Sequence, residues 1–140
     1  MGVHCDDLKL HDEVWGGNIG AIAHYITVPC NRIGKRSPNS PMPLAEYGVL
    51  AIGALTSLEA FLKAGAPWAA EQHFRVAITA GTGGTGVFGI QIAKALGAEQ
   101  IIVSCSLQHA ALARSLGATR VIDYHQMSLA ETLRAEGETV

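Results

Sequence analysis

The run Ala80-Gly81-Thr82-Gly83-Gly84-Thr85-Gly86-Val87 carries the clearest chemistry in this chain. Gly81, Gly83 and Gly86 stand at G-x-G-x-x-G spacing. Each glycine of such a turn has its own job: one permits the tight bend, one lets main chain approach a pyrophosphate, and one lets helix and strand pack closely. The amides around Gly83, Gly84, Thr85 and Gly86, with Val87 opening the next helix, would then meet an anion at a helix N-terminus. Glycine is common, so the flanks decide the reading. Upstream, Arg75 to Ala80 is a short β-branched run of the kind a buried parallel strand shows. Downstream, Val87, Ile90, Ala93 and Leu96 recur at helical spacing, and Gly97 supplies the stop.

The same alternation continues. Gln100 to Ser104 reads as the next strand, and Gln108 to Leu116 as the next helix, with Ala111, Leu112, Ser115 and Leu116 on one side and Gly117 at its end. Thr119 to Asp123 reads as a third strand. Strands alternating with such helices predict an α/β fold, a partial Rossmann βαβαβ unit with a parallel sheet. At the end of the second strand, about 20 residues beyond the glycines, an acidic residue would bind an adenosine ribose and repel a phosphate. Ser104, Cys105 and Ser106 stand there instead. The missing carboxylate favours NADP(H) over NAD(H).

Five ordered segments resemble the medium-chain dehydrogenase/reductases, in the branch of quinone oxidoreductases and enoyl reductases. Asp12-Glu13-Val14-Trp15-Gly16 is similar to that family's GDxVxG strand, and Gly20 to Pro29 to its G-A-x-AEY-x-x-VP strand. Ala54-Leu55-Thr56-Ser57 resembles its G-L-T-A segment. The AGTGGTG turn leads to Ile90-Gln91-Ile92-Ala93-Lys94, and Leu116-Gly117-Ala118 leads to Val121-Ile122-Asp123-Tyr124. The resemblance implies hydride transfer from a reduced nicotinamide to a quinone, an enone or an enoyl thioester. It implies cofactor contacts from Gly81, Gly83, Gly84, Thr85, Gly86 and Val87 at the pyrophosphate, and from Thr56 near the nicotinamide. Ser104, Ser106 and Tyr124 would surround the adenosine 2′-phosphate, and His109 stands where many NADPH-using relatives carry lysine. No catalytic proton donor is assigned. Full-length relatives are implied to be homodimers.

Part of that family uses zinc, which needs three protein ligands at a catalytic site or four thiolates at a structural one. Cys5, Cys30 and Cys105 are isolated in sequence, Ile52 occupies the position four residues before Thr56 where zinc-binding relatives place a ligand, and the six histidines lie on different elements. No metal is expected. Hydrophobic residues make up 49% and charged residues 16%, with a formal net charge of −2. That balance offers nothing to nucleic acid or an anionic membrane. Few cysteines suit a reducing compartment, so a cytoplasmic location is expected, with a mitochondrial one left open. Ile19 to Val28 and Val49 to Ala66 are interrupted by polar residues, so no membrane span is expected.

Three divisions follow. Residues 1–40 resemble the C-terminal part of a GroES-like barrel domain, with Met1 to His4 in a preceding segment and Ala21 to Val28 alternating as a half-buried strand. Residues 41–70 are linking helices, about Ala45 to Ile52 and Leu55 to Ala64, introduced by the proline-rich Pro38 to Pro43 connector. Leu55, Leu58 and Leu62 would pack beside the sheet. Residues 71–140 are the N-terminal half of the dinucleotide-binding domain. Family members run longer, so the chain is read as a fragment with little turnover of its own. Two other readings stay open: a zinc alcohol dehydrogenase-like enzyme whose ligands lie in missing sequence, and an inactive nucleotide-binding fragment.

Overall fold

The structure is a computed structural model that describes residues 5–68 and 73–137. Met1 to His4, and the boundary expected at residues 70 and 71, lie outside the described residues. Residues up to Ile52 form one compact unit and residues from Gly53 a second.

In the first unit, β1 (Val14–Gly16) pairs antiparallel with β2 (Ile33–Lys35), Trp15 opposite Gly34. The Trp15 ring fills the place a Gly34 side chain would take, 2.7 Å from the position of its Cβ. Beyond β2, Arg36 gathers the proline-rich connector. Its guanidinium binds the Glu13 carboxylate, donates to the carbonyls of Ser40 (3.3 Å) and Met42 (3.0 Å), and lies 5.9 Å from the Tyr47 ring centroid. Two segments of this unit differ from what the sequence predicts. Ala21 to Val28 is not a strand: among the described residues nothing pairs with it, and Ile22 and Tyr25 are fully exposed. Alternation alone cannot hold an extended segment without a ladder partner. Cys5 and Cys30 are not isolated either; their Cα atoms are 5.8 Å apart across a disulfide. A pairing 25 residues apart has no local signature.

The linking region is one helical run rather than two helices: α1 (Leu44–Val49), a π-turn (Leu50–Ala54) and α2 (Leu55–Lys63) follow without a loop. By length and composition alone, Leu44–Lys63 is long and apolar enough to cross a membrane, where no such stretch was expected. Glu59 and Lys63, counted as interruptions, pair on one helix face at 2.8 Å. The leucine stripe is also corrected. Leu55, Leu58 and Leu62 are exposed, and α2 buries Ser57 and Phe61 instead.

The second unit is a parallel sheet in the order β3 (Arg75–Ile78), β4 (Gln100–Cys105), β5 (Arg120–Asp123). β4 is central, and its residues from Ile101 to Cys105 are all buried, as continuous apolarity predicts for a strand covered on both faces. The two faces divide its side chains. Ile101, Val103 and Cys105 pack with Phe61 of α2, Ile90 and Ala93 of α3 (Gly86–Ala95), and Ala113 of α4 (Ala110–Leu116). Ile102 joins Ile122 of β5 under Leu129 and Leu133 of α5 (Leu129–Ala135). This is a sheet with helices on both sides. The buried face of α4 is Ala110 and Ala113, not the Ala111, Leu112 and Ser115 side. Gly97 and Gly117 stop α3 and α4 at φ +82° and +128°, and the next amides, Ala98 and Ala118, close back on Ala93 and Ala113 at 3.0 Å.

Candidate functional site

The turn from β3 to α3 is shaped by what its glycines leave out. A Cβ on Gly81 would collide with the Val103 side chain, and one on Gly86 would strike the Ala80 carbonyl and lie 2.6 Å from the Gly81 Cα. Gly86 is thus the close-packing glycine, with backbone against backbone. At Gly83 a Cβ would meet the Ala80 oxygen at 3.1 Å, whereas at Gly84 it would meet nothing within 4 Å. The bend itself is made by Ala80 at φ +48°, a left-handed conformation in a residue with a side chain, which costs about 1 kcal/mol. Its carbonyl accepts the Gly83 amide at 2.9 Å, and the Gly81 amide donates to the Ser104 carbonyl at 2.9 Å, tying the turn to β4.

The N–H groups of Thr82, Gly84, Thr85 and Gly86 donate to no described residue. They lead into α3, whose first amides close on Gly83 and Thr85: Val87 to the Gly83 carbonyl at 3.1 Å, Phe88 and Gly89 to the Thr85 carbonyl at 3.1 and 3.0 Å. Free main-chain donors at the positive end of a helix form an anion site. Beside them lies a cavity of about 590 Å³ lined by Thr56, Ser57, Ala60, Phe61, Val76 to Ala80 and Gly83 to Gly86.

Of the residues singled out in the sequence, Thr56, Gly83, Gly84, Thr85 and Gly86 meet around this cavity. Gly81 lies beneath the turn, buried on β4, and Val87 is half-buried in the first turn of α3. Ser104 sits within β4, only 5% exposed, and serves the turn through its carbonyl. Ser106, His109 and Tyr124 do not line the cavity; they follow β4 and β5 at the carboxyl edge of the sheet, the same edge from which the turn departs. Ser106 is buried and its carbonyl accepts the His109 amide at 2.9 Å, while the His109 ring is exposed. Tyr124 is half exposed and its ring lies 4.4 Å from that of His125.

The carboxylate at that edge is Asp123, one strand over, and it accepts the His125 amide at 3.1 Å. Burial, helped by Asp123, pushes the Cys105 thiol up, so it stays protonated and inert at neutral pH. Two residues that sequence reasoning missed touch the turn: Gly53, whose Cβ would lie 2.7 Å from the Gly84 carbonyl, and Ser57, which donates to the Thr85 carbonyl at 2.8 Å. Their four-residue spacing was the available signal. Among the described residues, no three His, Cys, Asp or Glu side chains gather where they could hold a metal.

A family model described as zinc-binding dehydrogenase matches residues 84–139. The trans-enoyl reductase pgmF of Aspergillus terreus is 31% identical over 139 residues, which cover 94% of this chain and 37% of that protein. The mitochondrial NAD(P)H oxidoreductase RTN4IP1 of Mus musculus is 33% identical over 131 residues, 89% of this chain and 32% of the relative. Among solved structures, the quinone oxidoreductase from Coxiella burnetii superposes with a TM-score of 0.63 at 28% identity, over 73% of this chain and 30% of that one. The chain spans about a third of the length of the curated relatives it matches.

Proposed function

We propose that this chain, which belongs to the medium-chain dehydrogenase/reductase superfamily in its quinone oxidoreductase and enoyl reductase-like branch, holds the diphosphate of a nicotinamide dinucleotide on its glycine turn. In the whole protein it serves NADPH-dependent reduction of a quinone, enone or enoyl-type acceptor. The observation that carries the reading is the row of unengaged amides at Thr82, Gly84, Thr85 and Gly86 beside an open cavity. The residues fit such a group: Gly84 leaves free space where a side chain would intrude, and the donors are already oriented by α3.

When bound, the nicotinamide supplies the hydride. The chain's own residues bind and orient. The turn amides hydrogen-bond the diphosphate, and the α3 dipole adds attraction for its charge. Thr56, which lines the same cavity, offers a hydroxyl for the nicotinamide end. Ala60, Phe61, Val76 and Ile78 present an apolar wall that limits water.

The preference for NADPH rests on the carboxyl edge. Ser106 follows β4 with no carboxylate at that strand's end, and exposed His109 and Tyr124 stand beyond it.

Titrating the chain with both nucleotides tests it. NADPH is expected to bind about tenfold more tightly than NADH, the worth of one charge-assisted contact to a phosphate. Equal affinities would remove the preference for NADPH, and no binding of either nucleotide would remove the dinucleotide reading.

A further inference from the structure

Helix α2 meets the glycine turn along a stripe that the leucine pattern does not foretell. Gly53, in the π-turn that leads into α2, and Ser57, in α2 itself, are four residues apart and both meet the glycine turn. A Cβ on Gly53 would be 2.7 Å from the Gly84 carbonyl and 2.8 Å from the Phe88 ring. Ser57 is 5% exposed, and its hydroxyl donates to the Thr85 carbonyl at 2.8 Å across 28 residues of sequence. That carbonyl is also the acceptor for the Phe88 and Gly89 amides, the bonds that open α3. One oxygen therefore joins α2, the turn and the first turn of the helix. The peptide that carries it continues into the Gly86 amide, one of the four unengaged donors. Whatever fixes the plane of this peptide fixes where that N–H points.

We propose that Ser57 is a positioning residue: its hydroxyl latches the Thr85 carbonyl and so aims the Gly86 amide, the N–H of the same peptide, at the nucleotide diphosphate, with Gly53 permitting the close approach. Thr56, the next residue, lines the same cavity, so the latch also ties the helix that carries Thr56 to the turn. The ligand half of this statement rests on the dinucleotide reading above; the latch itself does not.

Three measurements on the full chain test it. Ser57→Ala removes the hydroxyl and nothing else; the loss of one net hydrogen bond is partly offset because alanine is the better helix residue, so the thermal midpoint is expected to fall only slightly. Affinities for NADPH and NADH are both expected to fall by the same factor of about five, the worth of one net hydrogen bond. Ser57→Thr, which keeps the hydroxyl, is expected to stay within about twofold of the wild type by the same scale.

Amide hydrogen exchange without nucleotide provides the independent readout. In Ser57→Ala the Phe88 and Gly89 amides are expected to exchange several-fold faster while those of β4 do not change. Unchanged exchange at Phe88 and Gly89 overturns the latch, whatever the ligand results. Faster exchange with undiminished nucleotide affinity overturns the aiming role. A wild-type chain that binds neither nucleotide sinks the dinucleotide reading, and exchange then decides the latch alone.

Discussion

Gly84 and Gly86 are two positions apart, yet a side chain would meet open space at the first and the main chain of Ala80 and Gly81 at the second. This difference separates binding from folding. Gly84→Ala is expected to leave the thermal midpoint unchanged and to weaken dinucleotide binding about tenfold, because its methyl would take the space of the anion. Gly86→Ala is expected to lower stability by about 2 kcal/mol, since no rotamer relieves a clash of backbone with backbone. Denaturant unfolding and nucleotide titration of the two variants measure both effects. A stable Gly86→Ala chain, or a Gly84→Ala chain with full affinity, would contradict this assignment. Ala80 marks the same turn from the strand side, where a left-handed alanine stands in a place that suits glycine.

Among the elements, α5 is the cover of the second sheet face, and it is held at its start by reciprocal capping. Ser128 Oγ accepts the Glu131 amide at 3.2 Å, and Glu131 Oε2 accepts the Ser128 amide at 3.1 Å. Ser128→Ala is expected to cost about 1 kcal/mol, read by chemical denaturation. The cap also links stability to pH. The Ser128 hydroxyl first, and its amide second, hold the Glu131 carboxyl below its ordinary 4.5. A depressed folded value means that this contribution is complete above pH 4.5 and fades as pH falls through the lowered value. Arg120 acts likewise on Glu136 at the far end of α5. The thermal midpoint is therefore expected to be level near neutrality and to drop below about pH 4.5. In Glu131→Gln the acid limb of that curve should be shallower; an identical acid limb would show that the cap does not titrate with folding.

For the molecule as a whole, the residues from Gly53 onward form a compact unit of their own. Its ligand edge is the carboxyl end of a parallel sheet, where such folds bind nucleotides. The proposed chemistry without zinc gives a direct expectation at this scale: the whole protein should carry no stoichiometric zinc by elemental analysis, and finding it would favour the alcohol dehydrogenase-like alternative.

The nucleotide unit was legible in sequence because its signals are local. A buried parallel strand is a continuous apolar run, α3 repeats Ile90 and Ala93 at helical spacing, and the glycine turn is contiguous. Composition and order alone determined the α/β class and the position of the turn. What tertiary structure decided was pairing at a distance: Ser57 to Thr85, Gly53 to Gly84, Cys5 to Cys30, the exposure of Leu55, Leu58 and Leu62, and the unpaired state of Ala21 to Val28. Periodicity tells which residues share a face of an element. Which face is covered depends on neighbours brought from elsewhere in the chain, and that information exists only once the chain has folded.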